Sequence, residues 1–263
     1  LILSLHKSSI FGIILSTGML TTAALGLYFW ALLFTTSLFL APYGVLVLLG
    51  QSSPAYEYAK TVARVWAHHL LWLGRIDVDV HGLENYPRGS RRICVVSNHQ
   101  GYADILLLEA YLPDIGGFVA KQELKWVPIL STWMRIFHCV FIDRRSIRRG
   151  SRAIERAVGY VRRGFPMLIF PEGTRSHSAR MGSFKGGSLK LAIDSEATIV
   201  PVTIDGTYRV IEQKGRLQPA RTTLVIHPPL APEEYVDARR GELAARLANV
   251  ISEPLNSRES PAS

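Results

Sequence analysis

The longest uncharged stretch of this chain runs from Ser8 to Tyr56, 49 residues without a Lys, Arg, Asp or Glu. A single helix needs only about 20 apolar residues to cross a bilayer. A secretory signal has a shorter apolar region, roughly 7–15 residues, followed by a cleavage site. Residues 10–49 exceed that length and show no evident cleavage site. The stretch therefore predicts a membrane anchor, and we expect the rest of the chain to work at a membrane surface.

Basic residues flank the uncharged stretch, with Lys7 before it and Lys60 and Arg64 after it. Because basic residues accumulate on the cytoplasmic side of a membrane, this pattern predicts that both ends face the cytoplasm. Pro42 interrupts the second half of the stretch. We therefore predict a membrane-embedded helical hairpin over residues 1–52. The alternative is one long tilted helix with an amphipathic extension.

Short apolar runs alternate with helix-like segments in the rest of the chain. A helix is predicted over residues 54–73, and strands are predicted over residues 76–81, 93–97, 117–120, 139–142, 167–170, 198–204 and 222–227. This alternation predicts an α/β domain over residues 53–251, with a largely parallel sheet flanked by helices. Residues 252–263 are predicted to form a frayed tail. Cys94 and Cys139 lie in apolar runs, so we expect buried thiols rather than a disulfide.

The chain is basic, with 30 Lys and Arg against 21 Asp and Glu and a net charge of +9. This excess suits nucleic acid, anionic lipid or a phosphorylated substrate, and the predicted anchor favours the last two. No recognised nucleic-acid motif accompanies the charge. One predicted helix carries a basic stripe along one face, formed by Arg145, Arg148, Arg149, Arg152 and Arg156. The stripe is either a solvated face or a contact for anionic head groups or a phosphorylated ligand.

The first candidate for chemistry is His99 with Asp104, just after the predicted strand 93–97. Active sites of α/β domains gather at the carboxyl ends of strands. A carboxylate five residues on can orient the imidazole of a general base, and Asn98 is a potential cap for a following helix. His138 and Asp143 share the spacing, but that pair leads into a strand rather than out of one. We interpret the second pair as a coincidence.

Three further blocks lie at or near strand ends: Phe141–Arg145, Phe170–Arg175 and Val200–Val202. In this order after the His-x4-Asp block, they closely resemble the glycerophospholipid acyltransferase family, specifically the 1-acyl-sn-glycerol-3-phosphate acyltransferases. An amino-terminal membrane-bound two-helix element also occurs in that family. The resemblance covers residues 98–202. It is highly specific for the superfamily and less so for the substrate.

The resemblance implies transfer of a fatty acyl group from an acyl thioester to the sn-2 hydroxyl of 1-acyl-glycerol-3-phosphate, forming phosphatidic acid in phospholipid biosynthesis. His99, oriented by Asp104, would take the proton from the attacking hydroxyl. Such general-base help contributes about 10²–10⁴-fold to a rate. No Ser or Cys nucleophile is required. The expected co-substrate is acyl-CoA or an acylated carrier protein, with no metal and no other cofactor.

The resemblance also implies a set of substrate-binding residues: Arg144, Glu172, Gly173, Arg175, Lys185 and Pro201. The two Arg side chains suit the acceptor phosphate, because a guanidinium matches phosphate oxygens bidentately, and Lys185 is expected to add a phosphate contact. Glu172 and Gly173 belong to the acceptor-binding block, where Glu172 is expected to orient Arg175 or a glycerol hydroxyl. Pro201 belongs to the block linked to the acyl chain.

Other functions stay open from the sequence alone. A hydrolase would need a nucleophile, and the chain has no Gly-x-Ser-x-Gly motif. A peripheral lipid-binding protein explains the charge but not the blocks, and an acyltransferase for another lyso-lipid head group is the nearest alternative. For the favoured function we expect lysophosphatidic acid, the acyl donor and anionic membrane lipids as partners. The location would be the cell inner membrane or another membrane, with the catalytic domain on the cytoplasmic face.

Overall fold

The computed structural model describes residues 20, 22–24, 26–143 and 145–259. Most of the first arm of the predicted hairpin, up to residue 19, therefore lies outside the described residues. Helix α1 occupies Thr22–Leu48 and is long and apolar enough to cross a membrane. The helix changes from α-helical to 3-10 geometry at Thr36–Phe39, just before Pro42. Proline cannot donate a backbone hydrogen bond and its ring crowds the carbonyl one turn back. In this helix Pro42 therefore accompanies a local change of pitch and does not end the helix.

The chain reverses at residues 49–51 and returns as helix α2, Ser52–Leu73. The two helices pack together: the Tyr28 hydroxyl lies 2.7 Å from His69 Nε2, and the Phe29 and Trp66 rings are 5.5 Å apart. Within the described residues, the helix pair thus joins residues 22–48 to the segment predicted as the first domain helix. The predicted hairpin over residues 1–52 and its alternative of one long helix both stay predictions, because residues 1–19 lie outside the described residues.

A seven-stranded sheet forms the centre of the domain, in the order β1-β7-β6-β2-β5-β3-β4. The strands are β1 Ile76–His81, β2 Ile93–Ser97, β3 Gly117–Lys121, β4 Val140–Ile142, β5 Met167–Ile169, β6 Thr198–Asp205 and β7 Ala220–Ile226. Neighbouring strands are parallel except β6 and β7, which run antiparallel. The predicted largely parallel sheet is confirmed.

In the described part of the chain, five further α-helices follow: α3 Ala103–Tyr111, α4 Leu130–Ile136, α5 Ile147–Arg162, α6 Lys190–Ser195 and α7 Arg240–Glu259. Side chains of the central strands alternate between two cores. Cys94 and Val96 face the core built with α5, α6 and α7. Ile93 and Val95 face the core built with α2 and α3. Both cysteines are buried and free, as predicted.

The end of the chain differs from the prediction of a frayed tail. Helix α7 continues through residues 252–259, and residues 260–263 lie outside the described part. Ile251 and Leu255 are both buried, at 0% and 8% exposure. Because this segment is mostly polar, its composition did not reveal that Leu255 continues the buried face of Ile251, one helical turn earlier.

Candidate active site

His99 lies two residues after the end of β2, the central strand of the sheet, and Asp104 lies in the first turn of α3. The loop between them brings the two side chains together, with 2.6 Å between His99 Nδ1 and Asp104 Oδ2. This is the carboxyl end of a parallel strand, where α/β proteins place their active sites. The two residues predicted to act together are therefore in direct contact.

Asp104 is fully buried and receives hydrogen bonds from several directions. The backbone N–H groups of Gln100 and Gly101 donate to Oδ2 at 2.7 and 3.0 Å, and the Thr207 hydroxyl donates to Oδ1. Because a carboxylate only accepts, Nδ1 of His99 carries the proton in this contact. The other ring nitrogen, Nε2, is then the basic atom available for chemistry.

Two neighbours fix the position of His99. Its ring stacks on Phe170, with 4.0 Å between ring centres and 11° between planes. Its backbone N–H donates to Glu172 Oε1 at 2.7 Å, and Glu172 Oε2 accepts from the Gly182 backbone N–H at 2.7 Å. Burial raises the pKa of the Glu172 carboxyl, and the two backbone hydrogen bonds oppose that rise. Glu172 therefore ties the end of β2 to the loop that follows β5.

The His99 side chain borders a cleft of about 740 Å³. Three predicted binding residues, Gly173, Arg175 and Lys185, also line it. Gly173 has a φ of 74°, and a Cβ there would lie 3.1 Å from Lys185 Nζ, so the glycine lets this amine approach the backbone. Sequence reasoning missed Lys121, a further cation on the cleft wall at the end of β3. Its position after a strand was the signal that could have found it.

Arg175 lies over the Tyr102 ring, 3.6 Å from its centre, and donates to Glu212 Oε1 at 3.3 Å. Glu172 was expected to orient Arg175 or a glycerol hydroxyl; its two oxygens accept backbone N–H groups, the Arg175 side chain bonds Glu212, and the glycerol hydroxyl stays a prediction. Arg144, the other predicted phosphate contact, lies outside the described residues.

Pro201 lies buried within β6, opposite Val96 of β2, and does not line the cleft. Its carbonyl accepts from the His227 N–H beyond β7, but proline has no N–H to donate in return on that side. The structure gives it no direct access to an acyl chain in the cleft. Asn98 also differs from prediction: it caps no helix, and its amide exchanges two hydrogen bonds of 2.8 Å with the Ile204 backbone.

A second, apolar cavity of about 110 Å³ lies between α1, α2, α3 and α4. Ile105 and Phe118 line both this cavity and the cleft, so the two spaces share a wall. Ala63, Trp66 and Trp133 also border it. Among the residues that the structure describes, no group of His, Cys, Asp and Glu side chains is placed to hold a metal ion.

His138 and Asp143 have separate surroundings. The His138 ring stacks on Phe165 at 3.8 Å, and burial, assisted by the charge of Arg163, lowers its pKa. Asp143 pairs with Arg149 at 2.9 Å. The interpretation of their spacing as a coincidence agrees with these contacts.

Residues 77–205 match the family model described as Acyltransferase. This part of the chain is therefore a domain of the acyltransferase family. One relative of this chain is the probable 1-acyl-sn-glycerol-3-phosphate acyltransferase of Mycoplasma pneumoniae, 36% identical over 57% of this chain and 58% of that protein. Another is the chloroplastic 1-acyl-sn-glycerol-3-phosphate acyltransferase BAT2 of Brassica napus, 28% identical over 76% of this chain and 57% of that protein. The chain thus spans less than two thirds of either relative.

A solved structure matches this chain over nearly its whole length. It is the 1-acyl-sn-glycerophosphate (LPA) acyltransferase PlsC from Thermotoga maritima, with 28% identity and a TM-score of 0.76. The match covers 94% of this chain and 99% of that one. The fold of this chain is therefore similar to that of PlsC.

Proposed function

We propose that this protein transfers a fatty acyl group from an acyl thioester to the sn-2 hydroxyl of 1-acyl-glycerol-3-phosphate, forming phosphatidic acid. The observation that supports this proposal most directly is the contact of 2.6 Å between buried Asp104 and His99 Nδ1. His99 borders a cleft that Arg175 and Lys185 also line. The names of the related proteins support the same acceptor.

In the proposed reaction, His99 Nε2 accepts the proton of the acceptor hydroxyl as its oxygen attacks the thioester carbonyl carbon. The C–O bond forms, the carbonyl oxygen becomes negative, and the C–S bond then breaks. The leaving thiolate takes the proton from His99, so the imidazole returns neutral. Asp104 stabilises the imidazolium between these two steps, and Phe170 holds the ring plane.

We propose that Arg175, Lys185 and Arg144 recognise the acceptor phosphate, with Lys121 as a further cation on the same cleft. A guanidinium uses several N–H donors in a fixed plane, whereas a lysine acts as a point charge. A dianionic phosphomonoester matches such a set better than the phosphodiester of other lyso-lipids. The apolar cavity beside Ile105 and Phe118 is the proposed space for an acyl chain.

We further propose that the protein is bound to a membrane, with its catalytic domain on the cytoplasmic face. Helix α1 supports this location because large apolar side chains such as Leu27, Trp30 and Phe34 are exposed on it. The basic stripe supports it too: Arg145 lies exposed before α5, and Arg148, Arg149, Arg152 and Arg156 lie exposed along it. Each cation near an anionic bilayer contributes about 1 kcal/mol. The full chain should resist salt extraction and need detergent, and release by salt or alkaline washing would leave only peripheral binding.

The purified full chain should be given 1-acyl-glycerol-3-phosphate, lysophosphatidylcholine and lysophosphatidylethanolamine, each with acyl-CoA and with acylated carrier protein. We expect phosphatidic acid from the first acceptor with at least one donor. Faster acylation of another lyso-lipid would favour a different head group. Binding of lipid without product from any pair would favour a non-catalytic lipid-binding protein.

A further inference from the structure

We propose that Glu212 is the positioning residue of the acceptor-phosphate site, holding Arg175 in place and linking it to the loop that carries His99 and Asp104. This inference rests on the proposed function, because it assigns Arg175 to the acceptor phosphate. Glu212 lies outside the four sequence blocks of residues 98–202, in the segment that follows β6.

The Glu212 side chain is almost fully buried, at 3% exposure. Its Oε1 accepts two hydrogen bonds, from the Tyr102 backbone N–H at 2.7 Å and from Arg175 at 3.3 Å. The guanidinium of Arg175 also lies over the Tyr102 ring, with 3.6 Å between its carbon and the ring centre. Arg175 thus uses one guanidinium nitrogen to bond Glu212 and one face of the guanidinium to contact the Tyr102 ring. Its other N–H donors remain available for a phosphate. An arginine already fixed in this way loses less conformational freedom when the phosphate binds.

The same segment supports the catalytic pair. The Gly206 backbone N–H donates to the Gln100 side chain at 2.8 Å, and the Thr207 hydroxyl donates to Asp104. Glu212 adds the contact to Tyr102, so residues 206–212 brace the loop between His99 and Asp104 at three points.

The packing around Gly101 fits this role. A Cβ at position 101 would lie only 2.8 Å from Glu212 Oε2, so glycine is what allows the carboxylate to reach the loop backbone. Glu212 Oε2 has no hydrogen-bond partner among the described residues, although it is buried. An unpaired buried acceptor is unfavourable for stability, which favours a functional reason for a carboxylate here.

The experiment measures binding without turnover, by titrating sn-glycerol-3-phosphate into the full chain in detergent. Glu212→Ala should weaken binding by about fivefold or more when Arg175 is present, and should have no further effect in an Arg175→Ala background. In acyl-transfer assays the KM for the acceptor should rise while the KM for the thioester stays constant. Glu212→Asp keeps the charge but withdraws the carboxylate by one methylene, so it should also weaken binding.

Glu234→Ala is the matched control, because Glu234 also pairs with an arginine at 3.3 Å and accepts a backbone N–H at 2.8 Å, but on an exposed surface. It should leave binding within about twofold of the wild type. Wild-type binding by folded Glu212→Ala or Glu212→Asp overturns the proposal, as does an equal loss in the presence and absence of Arg175. If the wild type binds glycerol phosphate with the predicted coupling but transfers no acyl group, the positioning role stands and the proposed function fails. If the wild type forms phosphatidic acid but does not bind glycerol phosphate, the positioning role fails and the proposed function stands.

Discussion

Replacing Glu172 by Gln tests whether this buried carboxylate holds the backbone of His99 in place. Each of its oxygens accepts one N–H, from His99 and from Gly182, both at 2.7 Å. Glutamine has a single acceptor oxygen, and its amide NH2 would meet the second N–H, leaving two donors facing each other at 4% exposure. A hydrogen bond to a charged group is worth about 1.5–3 kcal/mol.

The amide also removes the cost of burying a charge, which is the cost that raises the Glu172 pKa. After this offset we expect a net loss of about 2 kcal/mol, which lowers the Tm of a domain of this size by about 4–8 °C. The rate of acyl transfer should fall as well, because the His99 backbone loses its anchor. Thermal unfolding of the full chain in detergent measures the first effect and an acyl-transfer assay the second.

Glu155→Gln provides the control, since Glu155 is exposed and bonds only the Ser151 hydroxyl, at 3.1 Å, within the described structure. Its Tm should change by about 2 °C or less. An unchanged Tm and an unchanged rate in Glu172→Gln would refute the reasoning.

Three further predictions concern other parts of the molecule. Arg175→Ala should raise the KM for the acceptor about tenfold, whereas Arg180→Ala, at an exposed position, should not raise it. An effect on the thioester KM alone would show that the role of Arg175 is misassigned. His138→Phe should flatten the pH dependence of Tm. The lowered His138 pKa means that its contribution to stability is full above the ordinary value of about 6.5 and is lost as pH falls below it; an unchanged slope between about pH 7.5 and 5.5 would contradict this. Ala63→Phe should fill part of the apolar cavity and shift product toward shorter acyl chains, as measured by mass spectrometry of phosphatidic acid; an unchanged chain profile would place the chain elsewhere.

The sheet could be predicted because its strands are short apolar runs between polar turns. β2 has the predicted bounds, residues 93–97, since all five residues are buried and the loop begins at Asn98. The contact between His99 and Asp104 could be predicted because it is local: five residues bridge one strand end and the first turn of one helix. The packing of α1 against α2 was not among the predictions, because the uncharged run continues through the turn at residues 49–51 and hides where the first helix ends.

The hydrogen bonds that position the site residues could not be predicted, because they join residues that are distant in sequence. Glu212 contacts Tyr102 from 110 positions away, and no periodicity or motif marks it. Pro201 shows the opposite problem. It lies within a recognisable block, but its place in a central strand buries it away from the cleft.

The most direct measurement is the acyl-transfer rate of His99→Ala, compared with His138→Ala under the same conditions. His99→Ala should lose about 10²–10⁴-fold in rate while keeping its Tm and its retention in the membrane, because His99 borders the cleft and its removal leaves the anchor intact. His138→Ala should keep most of its rate at temperatures where it is folded. A folded His99→Ala protein with near wild-type activity would contradict the assignment of the catalytic base and, with it, the proposed reaction.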